Sequence, residues 1–187
     1  MIYGKHDFST SRYLALLAGL TALYLVYGYA SGVALGHTIF ELDLFFLISA
    51  LFTILVSLTG RKWSATILGT ITGLLLFGDP SAPLGIGLSL IPNGLVFDLI
   101  LRVVNSSADG LPKKWLVIAG ALGNLAMAIT GLLIAAAVGA LSTGGVSLLV
   151  STAIALVGNP IMGALGALLG IAVVKRVGEH VRSPLVR

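Results

Sequence analysis

The chain is divided into apolar runs of about the length a helix needs to cross a bilayer, roughly 20 residues. Residues 13–30, 115–141 and 146–174 contain no Lys, Arg, Asp or Glu at all. Only 10% of the 187 residues are charged, against about 25% in soluble domains, and the mean hydropathy is +1.07. A transmembrane β-barrel would read as alternating segments of about ten residues around a polar lumen. These runs are longer, uniformly apolar and rich in Leu and Ala, so the sequence predicts an all-α integral membrane protein. There are no cysteines, which excludes disulfides and thiolate metal sites.

Six spans are expected in one domain covering 1–187: 13–30, 42–59, 63–77, 88–104, 115–141 and 146–174. The tight basic turn Gly60-Arg61-Lys62 should return the third span directly beside the second. The third is short for a full crossing, and the fifth and sixth are long enough to require tilt, a kink at Pro160 or protrusion. Pro80 and Pro83 force extended or turn backbone before the fourth span, and Pro92 is expected in its first turn, where a missing N–H costs least. The first span has no convincing small-residue cleavage site after it and is read as a retained helix.

With six spans, all eleven Lys and Arg residues fall on one side. The other side receives Glu41, Asp43 and Asp79. The positive-inside rule then puts both termini in the cytoplasm, so the net charge of +4 marks membrane topology and does not call for nucleic acid.

Polar chemistry is scarce and therefore informative. Asp98 lies inside span four, where an ionised carboxylate costs about 2.5–3.5 kcal/mol on insertion scales. Arg102 follows at i+4 on the same face, in the favourable acid-before-base order. The two are expected as a self-neutralising structural pair or a coupling element. Asn93, Asn124 and Asn159 bring side-chain amides into spans four, five and six, with Asn93 toward the outer side. Each amide needs partners in a dry environment. Converging, they would wall a pocket for a small polar molecule; separately, they would bond helix to helix. Pro160 also frees the carbonyl of Leu156 beside Asn159. On the outer face, Tyr27, His37, Glu41, Asp43 and Asp79 make an acidic, aromatic rim suited to a cation or protonated heteroaromatic ring. The spacing of His37, Glu41 and Asp43 fits no metal motif, and no cofactor is expected.

Small residues recur at helical spacing: Ala15, Ala18, Gly19 and Ala22 on span one, Gly69 and Gly73 on span three, Gly163, Gly166, Ala167 and Gly170 on span six. Such faces let helices approach closely, inside the bundle or against a separate subunit. No phosphate loop, HExxH or GxSxG sequence occurs, and no nucleophile or acid–base constellation supports an enzyme.

Taken together, the arrangement resembles the substrate-binding S-component of an energy-coupling factor (ECF) transporter, of the thiamine-precursor type. ALLAGLTALY (15–24) resembles the face by which that family docks its membrane coupling subunit. The run from Glu41 to Phe77 resembles its paired second and third helices, and GNPIMGALGALLGIAVVKRVG (158–178) its glycine-rich last helix. The resemblance implies a prokaryotic plasma-membrane protein that binds a vitamin or related micronutrient. Its partners would be a membrane coupling (T) subunit, docked at Ala15, Ala18, Gly19 and Ala22, and two cytoplasmic ATPases. It also implies a ligand site near the outer side, beneath residues 31–43. Two other readings fit the same residues: a structural or assembly protein without a ligand, and an autonomous ion-coupled carrier using Asp98.

Overall fold

The computed structural model describes the backbone of residues 9–35, 42–77, 84–104, 112–138 and 148–182, and side chains within these except at 32–35, 84, 148–151 and 178–182. His37, Glu41 and Asp79 therefore lie outside the described residues. The described residues form six helices in order: α1 Thr10–Leu35, α2 Leu42–Thr59, α3 Ser64–Leu76, α4 Leu84–Val104, α5 Lys113–Ala137 and α6 Leu148–Arg182. Five are long and apolar enough to cross a membrane. The exception, α3, has 13 residues and a length of roughly 20 Å at 1.5 Å per residue. In a bilayer every backbone polar group must be satisfied within the segment, which is why such apolar runs become helices.

The boundaries of α2 and α3 agree with the expected spans to within a residue or so. α4 differs. It begins at Leu84, so Pro92 lies inside the helix and not in its first turn. Leaving the helix at Leu88 would expose several backbone groups to lipid, whereas continuing through Pro92 forfeits one intrahelical bond. α6 is also longer than expected and carries Lys175 and Arg176 as helical residues.

Backbone-to-backbone contact at glycines sets how the helices run. A Cβ at Gly69 would meet the Leu90 carbonyl at 2.5 Å, and Gly73 and Gly87 abut each other's carbonyls, so α3 and α4 are antiparallel. Gly123 packs on Asn93 and Gly85 on Gly131, which makes α4 and α5 antiparallel. Gly120 packs on Gly163 between α5 and α6. Gly166 meets the Phe46 carbonyl and Gly170 the Ala50 carbonyl, advancing four residues on each helix, so α2 and α6 run parallel. The core is filled by Ile48, Phe52 and Leu55 of α2, Leu68 of α3, Leu90 and Phe97 of α4, and Leu116 and Met127 of α5. Phe52 and Phe97 meet edge to face, with ring centroids 5.6 Å apart.

α1 is held differently. Its inner stripe, Tyr13, Leu17, Leu20, Thr21 and Tyr24, is buried. Ala15, Ala18, Gly19 and Ala22 are exposed, and a Cβ built on Gly19 would meet nothing within 4 Å. Of the three small-residue faces, those of α3 and α6 are used inside the bundle and that of α1 points out.

The alternation of direction gathers the described basic residues at one end: Arg12 on α1, Arg61 and Lys62 between α2 and α3, Arg102 on α4, Lys113 and Lys114 on α5, Lys175 and Arg176 on α6. Arg61 ties this end together, with its guanidinium 4.6 Å over the Tyr13 ring and Nη2 donating to Thr10 Oγ1 at 3.3 Å.

Candidate functional site

Among the described residues, three places carry polar chemistry, and they lie at different depths.

The middle one is a knot of amides. Asn124 on α5 uses all of its hydrogen-bonding capacity. Its Nδ2 donates to the carbonyls of Phe45 (2.9 Å) and Asn159 (3.1 Å). Its Oδ1 accepts from Ser49 Oγ (3.0 Å) and Asn93 Nδ2 (3.0 Å). One side chain thus ties α5 to α2, α4 and α6. Asn93 Nδ2 also reaches Met127 Sδ at 3.2 Å. Of the three asparagines, Asn93 and Asn124 meet amide to amide, Asn159 joins them through its backbone carbonyl, and all three are buried. Asn93 stands level with Asn124 and not nearer the outer side, since the two bond directly. Along the helices the knot is roughly 14–17 Å from Arg102 and Lys113, about mid-depth of a 30 Å hydrocarbon layer. The carbonyl engaged on α6 is that of Asn159, one turn beyond the Leu156 carbonyl that Pro160 releases. In the sequence, a serine within an apolar run is the one signal for Ser49, and nothing singles out Met127.

At the basic end, Asp98 and Arg102 do not form the expected pair. Asp98 Oδ2 accepts from the Thr66 N–H and the Thr66 hydroxyl, both at 2.7 Å, and the carboxylate also takes the Ala65 N–H. These donors belong to the first turn of α3, which leaves its N–H groups without intrahelical partners. The residue preceding α3, Trp63, makes no side-chain cap. Asp98 is therefore the N-cap of a neighbouring helix, placed where the positive end of the helix dipole favours an anion. Arg102 instead lies 5.3 Å over the Trp63 ring. The correction has a physical cause: an i,i+4 pair on α4 competes with three aligned backbone and hydroxyl donors, and buried donors left unpaired cost more than a charge at the headgroup level. Trp63 has φ 63° and ψ 16°, a left-handed conformation that costs an ordinary residue about 1–2 kcal/mol. Gly60 shares it at φ 59° with no such cost. Two left-handed residues in four reverse the chain between α2 and α3.

At the opposite end, Tyr27 of α1 stands within hydrogen-bonding reach of Asp43 in the first turn of α2. Tyr27 is 40% exposed and Tyr29 70% exposed, whereas the asparagines of the amide knot are buried. No group of three or more His, Cys, Asp and Glu residues that could hold a metal ion occurs among the described residues.

Comparison with protein-family models, curated proteins and solved structures finds no match to the chain.

Proposed function

We propose that this chain is the substrate-specificity (S) subunit of an ECF-type importer, spanning a prokaryotic plasma membrane six times with both termini in the cytoplasm. It binds a small micronutrient, a vitamin or precursor of thiamine-like character, and is energised by a membrane coupling subunit and cytoplasmic ATPases. The observation that carries this reading is the outward small-residue face of α1. Lipid tails give a helix no reason to display Ala15, Ala18, Gly19 and Ala22 in register, but a second helix can approach closely along them. Tyr27 and Asp43 at the other end support the ligand half of the proposal, because a carboxylate beside an accessible phenol suits a cationic or donor-bearing ring. In this reading α3 crosses with help from the residues that follow it.

The test is binding of a vitamin panel to the purified protein. One compound raising the melting temperature or quenching tryptophan fluorescence is expected, with the effect weakened by Asp43→Asn. No response across the panel would remove the ligand half of the proposal.

One observation favours a second reading, a membrane assembly protein without a ligand: every hydrogen bond of Asn124 is already made within the bundle. Asn124→Leu should lose folded protein under either reading, because these four bonds belong to the bundle; Asp43→Asn separates the two. The importer reading predicts a folded variant with weakened binding of one compound of the panel, and the assembly reading predicts no binding before or after the change.

A further inference from the structure

The basic end of the bundle is strongly complementary to negative charge. Eight described Lys and Arg residues gather there, beside one described carboxylate, Asp98, whose bonds go to the first turn of α3. Within this end, one corner combines charge with shape. Arg102 lies 5.3 Å over the Trp63 ring, and Trp63 is placed beneath it by a left-handed backbone, φ 63°, that an ordinary residue adopts only at a cost. Strained residues persist where their surroundings fix them; glycine at this position would remove the strain and the aromatic platform together. A guanidinium resting on an indole is partly ordered in advance, while its N–H donors, which lie in its own plane, still fit a phosphate two at a time. Arg102 is exposed. So are Leu99 (41%) and Leu95 (39%), three and seven residues earlier on the same face of α4. They lie roughly 5 and 10 Å deeper along the helix.

We propose that the Arg102–Trp63 corner of α3 and α4 is a binding site for an anionic phospholipid, with its phosphate on Arg102 and one acyl chain along Leu99 and Leu95. A cation at headgroup level, an indole at the boundary and exposed leucines directly below follow the order of groups in one such molecule, and tryptophan is at home at that depth. The neighbouring cations, the exposed Lys62 among them, favour a headgroup of net negative charge over a zwitterionic one, because each basic residue near the membrane surface adds attraction. A soluble anion or an acidic peptide would answer the charge and leave the leucines uncovered. The site requires only that the chain crosses a bilayer, whatever it transports.

Trp115→Phe leaves Trp63 as the single tryptophan of the full chain, and a brominated acyl chain quenches an indole by contact. The experiment places this protein in phosphatidylcholine nanodiscs that carry a small fraction of dibrominated phosphatidylglycerol or of dibrominated phosphatidylcholine. The glycerol lipid is expected to quench Trp63 at a several-fold lower mole fraction than the choline lipid. Arg102→Gln should weaken that preference about fivefold, the factor equivalent to one basic residue at an anionic surface. Lys113→Gln, exposed at the same end but on α5, should weaken it far less. Equal quenching by the two lipids in the parent protein means ordinary annular contact and overturns the proposal. Equal losses in Arg102→Gln and Lys113→Gln also overturn it, in favour of the general field of the basic end. Arg102→Lys keeps the charge and gives up the planar fork, so part of the preference should go with folding intact; a variant indistinguishable from the parent assigns the preference to charge alone and overturns the site. Inorganic phosphate or polyglutamate at constant ionic strength should leave the preference in place, and displacement by either overturns the lipid as occupant.

Discussion

Replacing Asp98 tests the most specific structural relationship in the bundle, a carboxylate on α4 that caps α3. Asp98→Asn keeps an oxygen of nearly the same shape but removes the charge. Charge-assisted hydrogen bonds are about twice as strong as neutral ones, and a neutral bond contributes about 1 kcal/mol. Three accepted bonds therefore imply a loss of up to about 3 kcal/mol, reduced to roughly 1–3 because a neutral amide is cheaper to bury. Asp98→Ala should cost more, about 3–5 kcal/mol, since it leaves the α3 donors buried and unanswered. The assay is reversible unfolding in mixed micelles with SDS, followed by tryptophan fluorescence; Trp63 adjoins the first turn of α3 and should report directly. A double-mutant cycle assigns the partner. Asp98→Asn with Thr66→Val should show coupling of about 1–2 kcal/mol, near the upper end for hydrogen bonds inside membranes. Asp98→Asn with Arg102→Ala should be additive within about 0.5 kcal/mol. Strong coupling to Arg102 with none to Thr66 would refute the capping assignment and restore the ion pair.

Three further outcomes follow from the same packing. Gly19→Leu should leave the melting temperature unchanged, because nothing lies within 4 Å of the added carbon, while abolishing co-purification of any membrane partner that α1 docks. Gly170→Leu should instead cost several kcal/mol, as other overpacked cores do, because its Cβ would meet the Ala50 carbonyl at 2.7 Å; loss of monodisperse protein on size exclusion is the readout. Trp63→Gly should gain about 1–2 kcal/mol from relief of the left-handed backbone and lose a similar amount with the Arg102 stack and ring burial, so a net change within about 1 kcal/mol in SDS unfolding is expected.

The helices were legible because a bilayer makes apolar length and helix nearly synonymous. α2 was delimited by Glu41 and Asp43 at one end and Gly60-Arg61-Lys62 at the other, and the structure begins and ends it at Leu42 and Thr59. The reading of Pro92 failed because proline rules drawn from water assume an exit that solvates the freed backbone, and lipid offers none. Asp98 was misassigned because sequence spacing sees only partners on the same helix. The signal that could have redirected it was the start of α3, where neither Lys62 nor Trp63 can cap the first turn. Small-residue faces look alike in sequence; only the packing distinguishes Gly69 and Gly73, pressed against α4, from Gly19, which faces nothing. The convergence of three asparagines on one level could be entertained from sequence, but the register that brings Asn93 to Asn124 depends on Gly123, whose missing side chain leaves room for the amide.

The pairing of α2 with α6 also fixes an order of events during synthesis. Gly166 and Gly170 seat on carbonyls of Phe46 and Ala50, residues some 120 positions earlier in the chain. Until the last helix leaves the ribosome, α2 waits in the membrane without its principal neighbour, and the Asn159 carbonyl that completes the bonds of Asn124 does not yet exist. The α3–α4–α5 hairpins can form as they emerge, but the bundle closes only with its final segment. A nascent chain stalled before α6 should therefore be recognised as unassembled by membrane quality control, and a separately expressed α6 should rescue it.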